Sequence, residues 1–388
     1  MTRIAAKAIS TCLLLLAAGI TWFHDNGRAE AAEAEKPAAV TRTLEQEAFR
    51  RAGTVYLPLK ETAAPLDLQV AWNPANSSVE VTGLHQAVSL KLGQSKAYTI
   101  TNKTIKLGAP VLVQNGVTYV PDSLFAKAFS LPVTWDGGSD ISLPYSEQYI
   151  KSVNGRRMFW LNREYGVIYT GESGRTPVRS GILEIGRSEL DWVSIRSRLI
   201  NSESSVLDID NAYGEPHVHQ TRYRALLHKG RLVRQGDSSF SGARGLAFKE
   251  NVPAFQGHVV IVDRHLLTLV TPDGQAYKTY DLRQITGVDD AFAVEAVEPD
   301  FLLVRPYQQA ALYVIDRKTL QAVLLYPQLL SAEDKVRLEE YPDTEVDYPG
   351  DGLTYTGRSG RQLSFEWKSF PDGRLVHFTY TLPLPGES

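Results

Sequence analysis

Two histidines separated by one residue, His217 and His219, are the side chains in this sequence most suited to metal binding. On a strand, residues two apart point to the same side, so both imidazoles could reach one metal ion. A metal site generally needs a third protein ligand, and none follows at a recognisable spacing. The pair is therefore a candidate metal site, and the sequence predicts no cofactor.

A serine in the Gly-Asp-Ser string at 236–238 raises a second possibility, nucleophilic catalysis by Ser238. A serine nucleophile needs a base and an oxyanion donor close to it in space. The histidines nearest in sequence are His217, His219, His258 and His265. Because the Gly-x-Ser-x-Gly, His-Glu-x-x-His and phosphate-binding glycine motifs are all missing, a hydrolase is the alternative prediction rather than the first.

Positive charge is concentrated between residues 222 and 249, the basic segment, which has seven arginines and lysines against one acid, Asp237. Such a face would attract a polymer with repeated negative charges. The ordinary explanation is a solvated surface, or one that faces the acidic stretch 333–351, where there are eight acids. The candidate binding residues are Arg222, Arg224, Lys229, Arg231 and Arg234.

The N-terminus has the order of an export signal. Arg3 and Lys7 precede an apolar run of 15 residues, 9–23, which is short for a membrane span of about 20, and small residues follow. We predict a signal peptide over 1–31, an uncleaved anchor being the alternative, and a linker over 32–48. The only cysteine, Cys12, lies within the signal, which excludes disulfides and thiolate chemistry from the exported chain.

One sequence motif occurs twice, at a constant offset of 63 residues. Tyr56, Pro58 and Trp72 in the first copy correspond to Tyr119, Pro121 and Trp135 in the second. Each copy predicts a strand ended by proline, a short helix and a β-hairpin. Asn115-Gly116 predicts a tight hairpin between the copies. Since the aromatic residues recur at equivalent positions, we expect them to pack in the core rather than bind sugar.

The repeated motif resembles the copper amine oxidase-like N-terminal domain, over residues 49–146. Members usually have an arginine where this chain has Lys60 and Ser123. The resemblance implies an exported protein of a spore-forming Gram-positive bacterium, and in the oxidases this domain is an appendage without the chemistry. The sequence lacks an Asn-Tyr-Asp/Glu string, so amine oxidase activity is excluded.

Residues 147–388 consist of short apolar runs between Gly, Asp and Pro turns, with one helix-like stretch at 187–202. The predicted fold is an α+β N-terminal domain with a duplicated strand-helix-hairpin unit, followed by a mostly-β domain that is propeller-like or a sandwich. We expect a noncatalytic secreted or cell-envelope protein with a binding or scaffolding role. Its expected partner is an anionic cell-wall polymer or another envelope protein, without nucleic acid and without a membrane span beyond the signal.

Overall fold

The computed structural model describes residues 39–145, 147–215, 218–241, 249–340, 350–369 and 373–383. The predicted signal peptide lies outside these residues. The chain is mostly β strand, arranged in small antiparallel sheets. Within the described ranges, no helix is both long and apolar enough to cross a bilayer.

The N-terminal domain contains three antiparallel sheets and two short helices. The sheet orders are β1-β12-β11, β2-β3-β10-β9 and β4-β5-β6-β7-β8. The strands are β1 (Val40–Thr43), β2 (Phe49–Arg51), β3 (Thr54–Pro58), β4 (Gln69–Asn73), β5 (Ser78–Thr82), β6 (Ala87–Leu90), β7 (Lys96–Thr99), β8 (Thr104–Lys106), β9 (Leu112–Gln114), β10 (Val117–Pro121), β11 (Thr134–Gly137) and β12 (Asp140–Leu143). The helices are α1 (Leu59–Ala63), followed by a 3₁₀ turn (Ala64–Leu66), and α2 (Ser123–Phe129).

Local sequence explains where these elements stop and start. Pro58 ends β3 and Pro121 ends β10, as expected for a residue that cannot donate to a ladder. The Asp122 side chain accepts a hydrogen bond from the backbone N–H of Ser123 at the start of α2. Asn115 and Gly116 have φ of 51° and 78° and join β9 to β10, which confirms the predicted hairpin.

The predicted linker over 32–48 is too long at its C-terminal end. Strand β1 pairs with β12 through four residue pairs, from Val40 with Leu143 to Thr43 with Asp140. Backbone hydrogen bonds of this ladder hold residues 40–43 in the domain, so they cannot serve as a free linker.

The repeated aromatic residues have different environments. Tyr56 and Tyr119 are buried, and Phe49 packs on both, with ring centroids 5.3 and 5.0 Å away. The core prediction is confirmed for these tyrosines and is wrong for Trp72, which is 53% exposed near the turn that ends the edge strand β4. Trp135 is partly buried against the core, and its Nε1 donates to the Gly138 carbonyl at 2.9 Å.

The C-terminal part is a succession of five antiparallel sheets, each with its strands in chain order. The first sheet has β13 (Tyr149–Asn154), β14 (Arg157–Asn162), β15 (Val167–Glu172) and β16 (Val178–Ile182), and the second has β17 (Trp192–Leu199), β18 (Ser204–Tyr213), β19 (His219–His228) and β20 (Arg231–Ser241). The third has β21 (Ala254–Phe255), β22 (His258–Asp263), β23 (Leu266–Val270) and β24 (Ala276–Asp281), and the fourth has β25 (Phe292–Val297), β26 (Phe301–Pro306), β27 (Tyr313–Asp316) and β28 (Ala322–Leu324). The fifth has β29 (Leu353–Ser359), β30 (Gln362–Lys368) and β31 (Leu375–Thr381). Three short helices accompany them, α3 (Leu282–Thr286), α4 (Tyr326–Leu329) and α5 (Ala332–Glu339).

Buried apolar clusters join each of these sheets to the next. In β22, Val259 and Ile261 pack towards the second sheet, whereas Val260 and Val262 pack towards the fourth. Burial of both faces explains why this strand is a continuous apolar run rather than an alternating one. The fifth sheet differs, because in β30 the apolar Leu363, Phe365 and Trp367 alternate with polar residues such as Gln362 and Lys368, which are exposed.

The helix-like stretch at 187–202 is a strand over half of its length, and none of it is helical. Strand β17 pairs with β18 through eight residue pairs, from Trp192 with Ala212 to Leu199 with Ser205. Pairing with a long neighbouring strand overrides the local pattern, so the expectation of a helix here is wrong.

Asp67 connects the N-terminal domain to the first C-terminal sheet. Its carboxylate accepts the backbone N–H groups of Gln148 at 3.2 Å and Tyr149 at 3.1 Å, with Lys151 Nζ at 3.7 Å. Its carbonyl accepts Trp160 Nε1 at 2.9 Å, and Trp160 is fully buried. Burial raises the pKa of Asp67 from 3.8 to about 6, against the opposing effects of Lys151 and the two N–H donors.

This pKa predicts a pH-dependent contribution to stability. Because the folded state binds the Asp67 proton more tightly than the unfolded state, the contribution is complete below pH 3.8 and is lost as the pH rises through about 6. In urea unfolding, the stability of the wild type relative to Asp67→Asn should increase by up to about 3 kcal/mol between pH ~8 and pH ~4. A flat difference across this range would contradict the assignment. Glu47→Gln, which removes an exposed carboxylate, is the control and should show no such trend.

Candidate functional site

The basic segment forms most of the β19–β20 hairpin of the second sheet. Its turn is made by Lys229 and Gly230, both in the left-handed region with φ of 49° and 72°. The hairpin is long, with ten residues in β19 and eleven in β20. The five predicted binding residues therefore lie in two environments. Two of them are within strand β19, and the other three are at or near the turn.

Arg222 and Arg224 lie within strand β19 and form ion pairs with residues of the neighbouring strand β18. Arg222 Nε is 3.1 Å from Asp210 Oδ1, and Arg224 Nε is 2.5 Å from Asp208 Oδ1. Arg224 also donates to the carbonyls of Val252 and Val260, at 3.0 and 2.9 Å. These bonds attach the second sheet to the chain that enters the third, so both arginines have structural partners.

The second and third sheets are in close contact at Gly236. A Cβ at this position would lie 2.5 Å from the carbonyl oxygen of Val262, so only glycine fits. A separate open groove of about 650 Å³ lies against the second sheet, lined mainly by residues of β17, β18 and β19. Its lining includes Trp192, Ser194, Asp210, Gln220, Arg222 and Glu250.

Two acids of this groove, Asp210 and Glu250, are paired with arginine. Arg196 Nη2 lies 3.2 Å from Asp210 Oδ2 and 3.1 Å from Glu250 Oε1, so one guanidinium bridges both carboxylates. Trp192 is 55% exposed beside them. A carboxylate held by arginine is a poor general base, whereas an exposed indole among polar groups suits ligand binding. Sequence reasoning missed Trp192 and Glu250, because only the folded structure brings these two distant parts of the chain into one groove.

The turn end of the hairpin carries the other three predicted residues, Lys229, Arg231 and Arg234, all exposed. Lys229 Nζ is 3.6 Å from Glu203 Oε2, an exposed pair of the kind that contributes little. Arg234 Nε donates to the Gly274 carbonyl at 3.0 Å, and none of the described carboxylates forms an ion pair with this arginine. The side chain of Arg231 has no hydrogen-bond or ion-pair partner in the described part of the chain. This end is the hairpin's accessible positive surface.

The predicted metal pair is only partly placed. His217 lies outside the described residues. His219 begins β19 and stacks on Tyr213, with ring centroids 5.4 Å apart. Among the residues that the structure describes, no three His, Cys, Asp or Glu side chains are grouped so that they could hold a metal ion. The His217–His219 site stays a prediction.

Ser238 lacks the surroundings of a nucleophile. Its hydroxyl is buried and has no hydrogen-bond partner among the described residues. Ser238 is opposite Arg222 in the sheet, and His219 is three residues before Arg222, so His219 points to the other face. His258 stacks on Tyr277 at 4.2 Å in the third sheet. No described histidine is hydrogen-bonded to Ser238, and we find no observation that favours the hydrolase alternative.

Comparison with known proteins identifies the N-terminal domain. Residues 38–142 match the family model of the copper amine oxidase N-terminal domain, which confirms the resemblance predicted for 49–146. Among solved structures, the chain is similar to the WD40 domain of SCAP from fission yeast, at 8% identity over 88% of this chain and 70% of that one. The TM-score of that match is 0.24, too low to support a conclusion. No curated protein matches the chain.

Proposed function

We propose that this is a noncatalytic protein, secreted or attached to the cell envelope of a Gram-positive bacterium, which binds an anionic cell-wall polymer. The observation that carries the proposal is that the five predicted cations differ in ion pairing and exposure. Arg222 and Arg224 are ion-paired inside the sheet, whereas Lys229, Arg231 and Arg234 are exposed together at the turn end of the hairpin. Exposed cations that are not fully compensated attract a polyanion at long range.

The architecture suits a scaffolding role for this surface. We propose that the N-terminal domain is a duplicated unit. In support of this, strand β3 leads into helix α1 and strand β10 leads into helix α2, and β3 and β10 are neighbours in one sheet. We also propose a propeller-like arrangement of the C-terminal part, supported by four consecutive four-stranded sheets with strands in chain order. In this arrangement loops and hairpin ends carry the binding residues and the sheets keep them in place.

The first test is retention on purified cell walls. The wild type should sediment with walls at ~50 mM salt and be released at ~500 mM, because salt screens contacts between exposed charges. The variant Lys229→Gln/Arg231→Gln/Arg234→Gln should bind at least roughly tenfold more weakly at the lower salt, at about 1 kcal/mol for each cation near an anionic surface.

A matched control removes the same number of charges elsewhere. Lys278 and Lys368 lie on strands β24 and β30, and Lys318 lies in the turn between β27 and β28. All three are exposed, so their triple change to Gln should leave retention close to that of the wild type. Equal retention of the hairpin variant and this control would remove the hairpin end from the contact. No retention of the wild type at low salt would refute the proposed function itself.

A further inference from the structure

A second concentration of positive charge lies in the N-terminal domain, outside the basic segment. Residues 87–131 contain five lysines, no arginine and a single acid, Asp122, which accepts the backbone N–H of Ser123 at the start of α2. All five lysines are exposed, and none forms an ion pair with a described carboxylate. They are Lys91, Lys96, Lys103, Lys106 and Lys127, called the lysine face below.

The fold brings three of these lysines together. Lys96 on β7 and Lys106 on β8 are direct cross-strand partners, so their side chains leave the same face of the sheet. Lys127 on α2 reaches this strand and donates from Nζ to the Lys106 carbonyl at 3.0 Å. Lys91 lies in the turn before β7, and Lys103 lies at the far end of the β7–β8 hairpin.

This grouping is unfavourable without a bound anion. Like charges directly opposite each other on a sheet destabilise it, and Lys127 adds a third cation beside them. Lysines on an edge strand do protect a sheet from aggregation, and β8 is an edge strand. That role accounts for Lys106 but not for Lys96 on the inner strand β7 or for Lys127 on a helix.

We propose that the lysine face is a second contact for the wall polymer, and that it recognises a linear chain of phosphodiesters. This inference rests on the proposed function. Lysines are strongly hydrated point charges on flexible stems, which suit repeated phosphates better than one fixed ligand geometry. The face is open rather than a closed pocket, so a chain can cross it and contact several lysines at once.

A membrane surface fits the face less well than a polymer does. Leu92 is 45% exposed and Ile100 is 57% exposed, but they lie in the turns at opposite ends of β7. They therefore do not form one contiguous apolar tip that could enter a bilayer. Single exposed apolar residues of this kind are ordinary.

The test is salt-dependent binding of the full protein to soluble poly(glycerol phosphate). Lys96→Gln/Lys106→Gln/Lys127→Gln should bind at least roughly tenfold more weakly at ~50 mM salt. Its plot of log affinity against log salt concentration should be shallower by about 2, because fewer counterions are released. Since Lys127 also bonds a backbone carbonyl, the double variant Lys96→Gln/Lys106→Gln is measured too. It should show an intermediate loss of binding and unfold at the same or a slightly higher temperature, because the opposed like charges are removed. The Lys278/Lys318/Lys368 variant is again the charge-matched control.

The outcomes separate this inference from the proposed function. If the wild type binds the polymer and the lysine-face variants bind equally well, the lysine face is refuted and the proposed function stands. If the wild type does not bind poly(glycerol phosphate) but still sediments with cell walls at ~50 mM salt, this inference is refuted and the proposed function stands; if it binds neither, both are refuted. Lysine-dependent binding to phosphatidylglycerol vesicles without binding to the polymer would also overturn the inference.

Discussion

Replacing Asp351 with alanine should lower the free energy of unfolding by about 3–5 kcal/mol, because it leaves a buried arginine without one of its two carboxylates. Arg305 Nη1 lies 2.5 Å from Asp351 Oδ1, and Arg305 Nε lies 2.5 Å from Glu295 Oε1, with all three side chains buried. Asp351 also accepts the backbone N–H groups of Leu312 at 2.6 Å and Leu353 at 3.1 Å. Its loss therefore removes bonds between the fourth sheet and the start of the fifth.

The charge state of Arg305 supports this expectation. Burial by itself would lower the pKa of the guanidinium, but Asp351 and Glu295 more than reverse the effect and raise the pKa above its ordinary value. The arginine thus stays charged in the interior and depends on both acids. Two more of its hydrogens are donated to the carbonyls of Ala310 and Leu353, each at 2.7 Å.

Urea unfolding of Asp351→Ala measures the effect directly. Asp300→Ala is the matched control, since Asp300 pairs with Arg358 at 2.6 Å but is exposed. An exposed pair contributes about 1 kcal/mol or less, so the control should change stability by no more than that. Similar losses for the two variants would show that the buried triad does not support the fourth and fifth sheets.

Replacing Glu80 with alanine should lower the free energy of unfolding by about 3 kcal/mol, because it breaks a buried hydrogen-bond network between the N-terminal domain and the first C-terminal sheet. Glu80 Oε1 accepts from Asn73 Nδ2 at 2.5 Å, and Oε2 accepts from Ser173 Oγ at 2.5 Å. Arg156 Nη2 approaches the same oxygen at 3.4 Å. The alanine variant leaves the buried Asn73 amide and Ser173 hydroxyl without their acceptor.

The control for this change is Glu172→Ala on the neighbouring strand. Glu172 is exposed and lies 4.0 Å from Arg175, so its removal should have little effect on stability. Chemical unfolding, together with proteolysis of the 39–145 region, should show the N-terminal domain released at lower urea in Glu80→Ala. A loss of less than about 1 kcal/mol would contradict the role of Glu80 in joining the two parts.

Short-range signals in the sequence predicted the fold well where one residue type decides the outcome. Pro58 and Pro121 end their strands because proline lacks a donor, and Asn115-Gly116 makes the hairpin because both residues tolerate positive φ. The same type of reasoning failed for Trp72. Trp72 is exposed and its counterpart Trp135 is partly buried although both lie on edge strands, so the repeat does not encode this difference.

Long-range pairing limited the prediction of the candidate site. Arg222 and Arg224 looked accessible in the sequence, but Asp210 and Asp208 stand opposite them in β18. The alternation of two acids in one strand and two arginines in the next was a usable signal, because a hairpin in the right register places such residues in pairs. The lysine face could also have been found by counting, since one acid accompanies five lysines over residues 87–131.

The most direct test of polymer binding is cosedimentation with two preparations of the same cell walls, one intact and one stripped of its anionic polymer. At ~50 mM salt the wild-type protein should sediment with the intact walls and remain in solution with the stripped walls, and ~500 mM salt should release it. Equal binding to both preparations, or no binding to the intact walls, would contradict the proposed function.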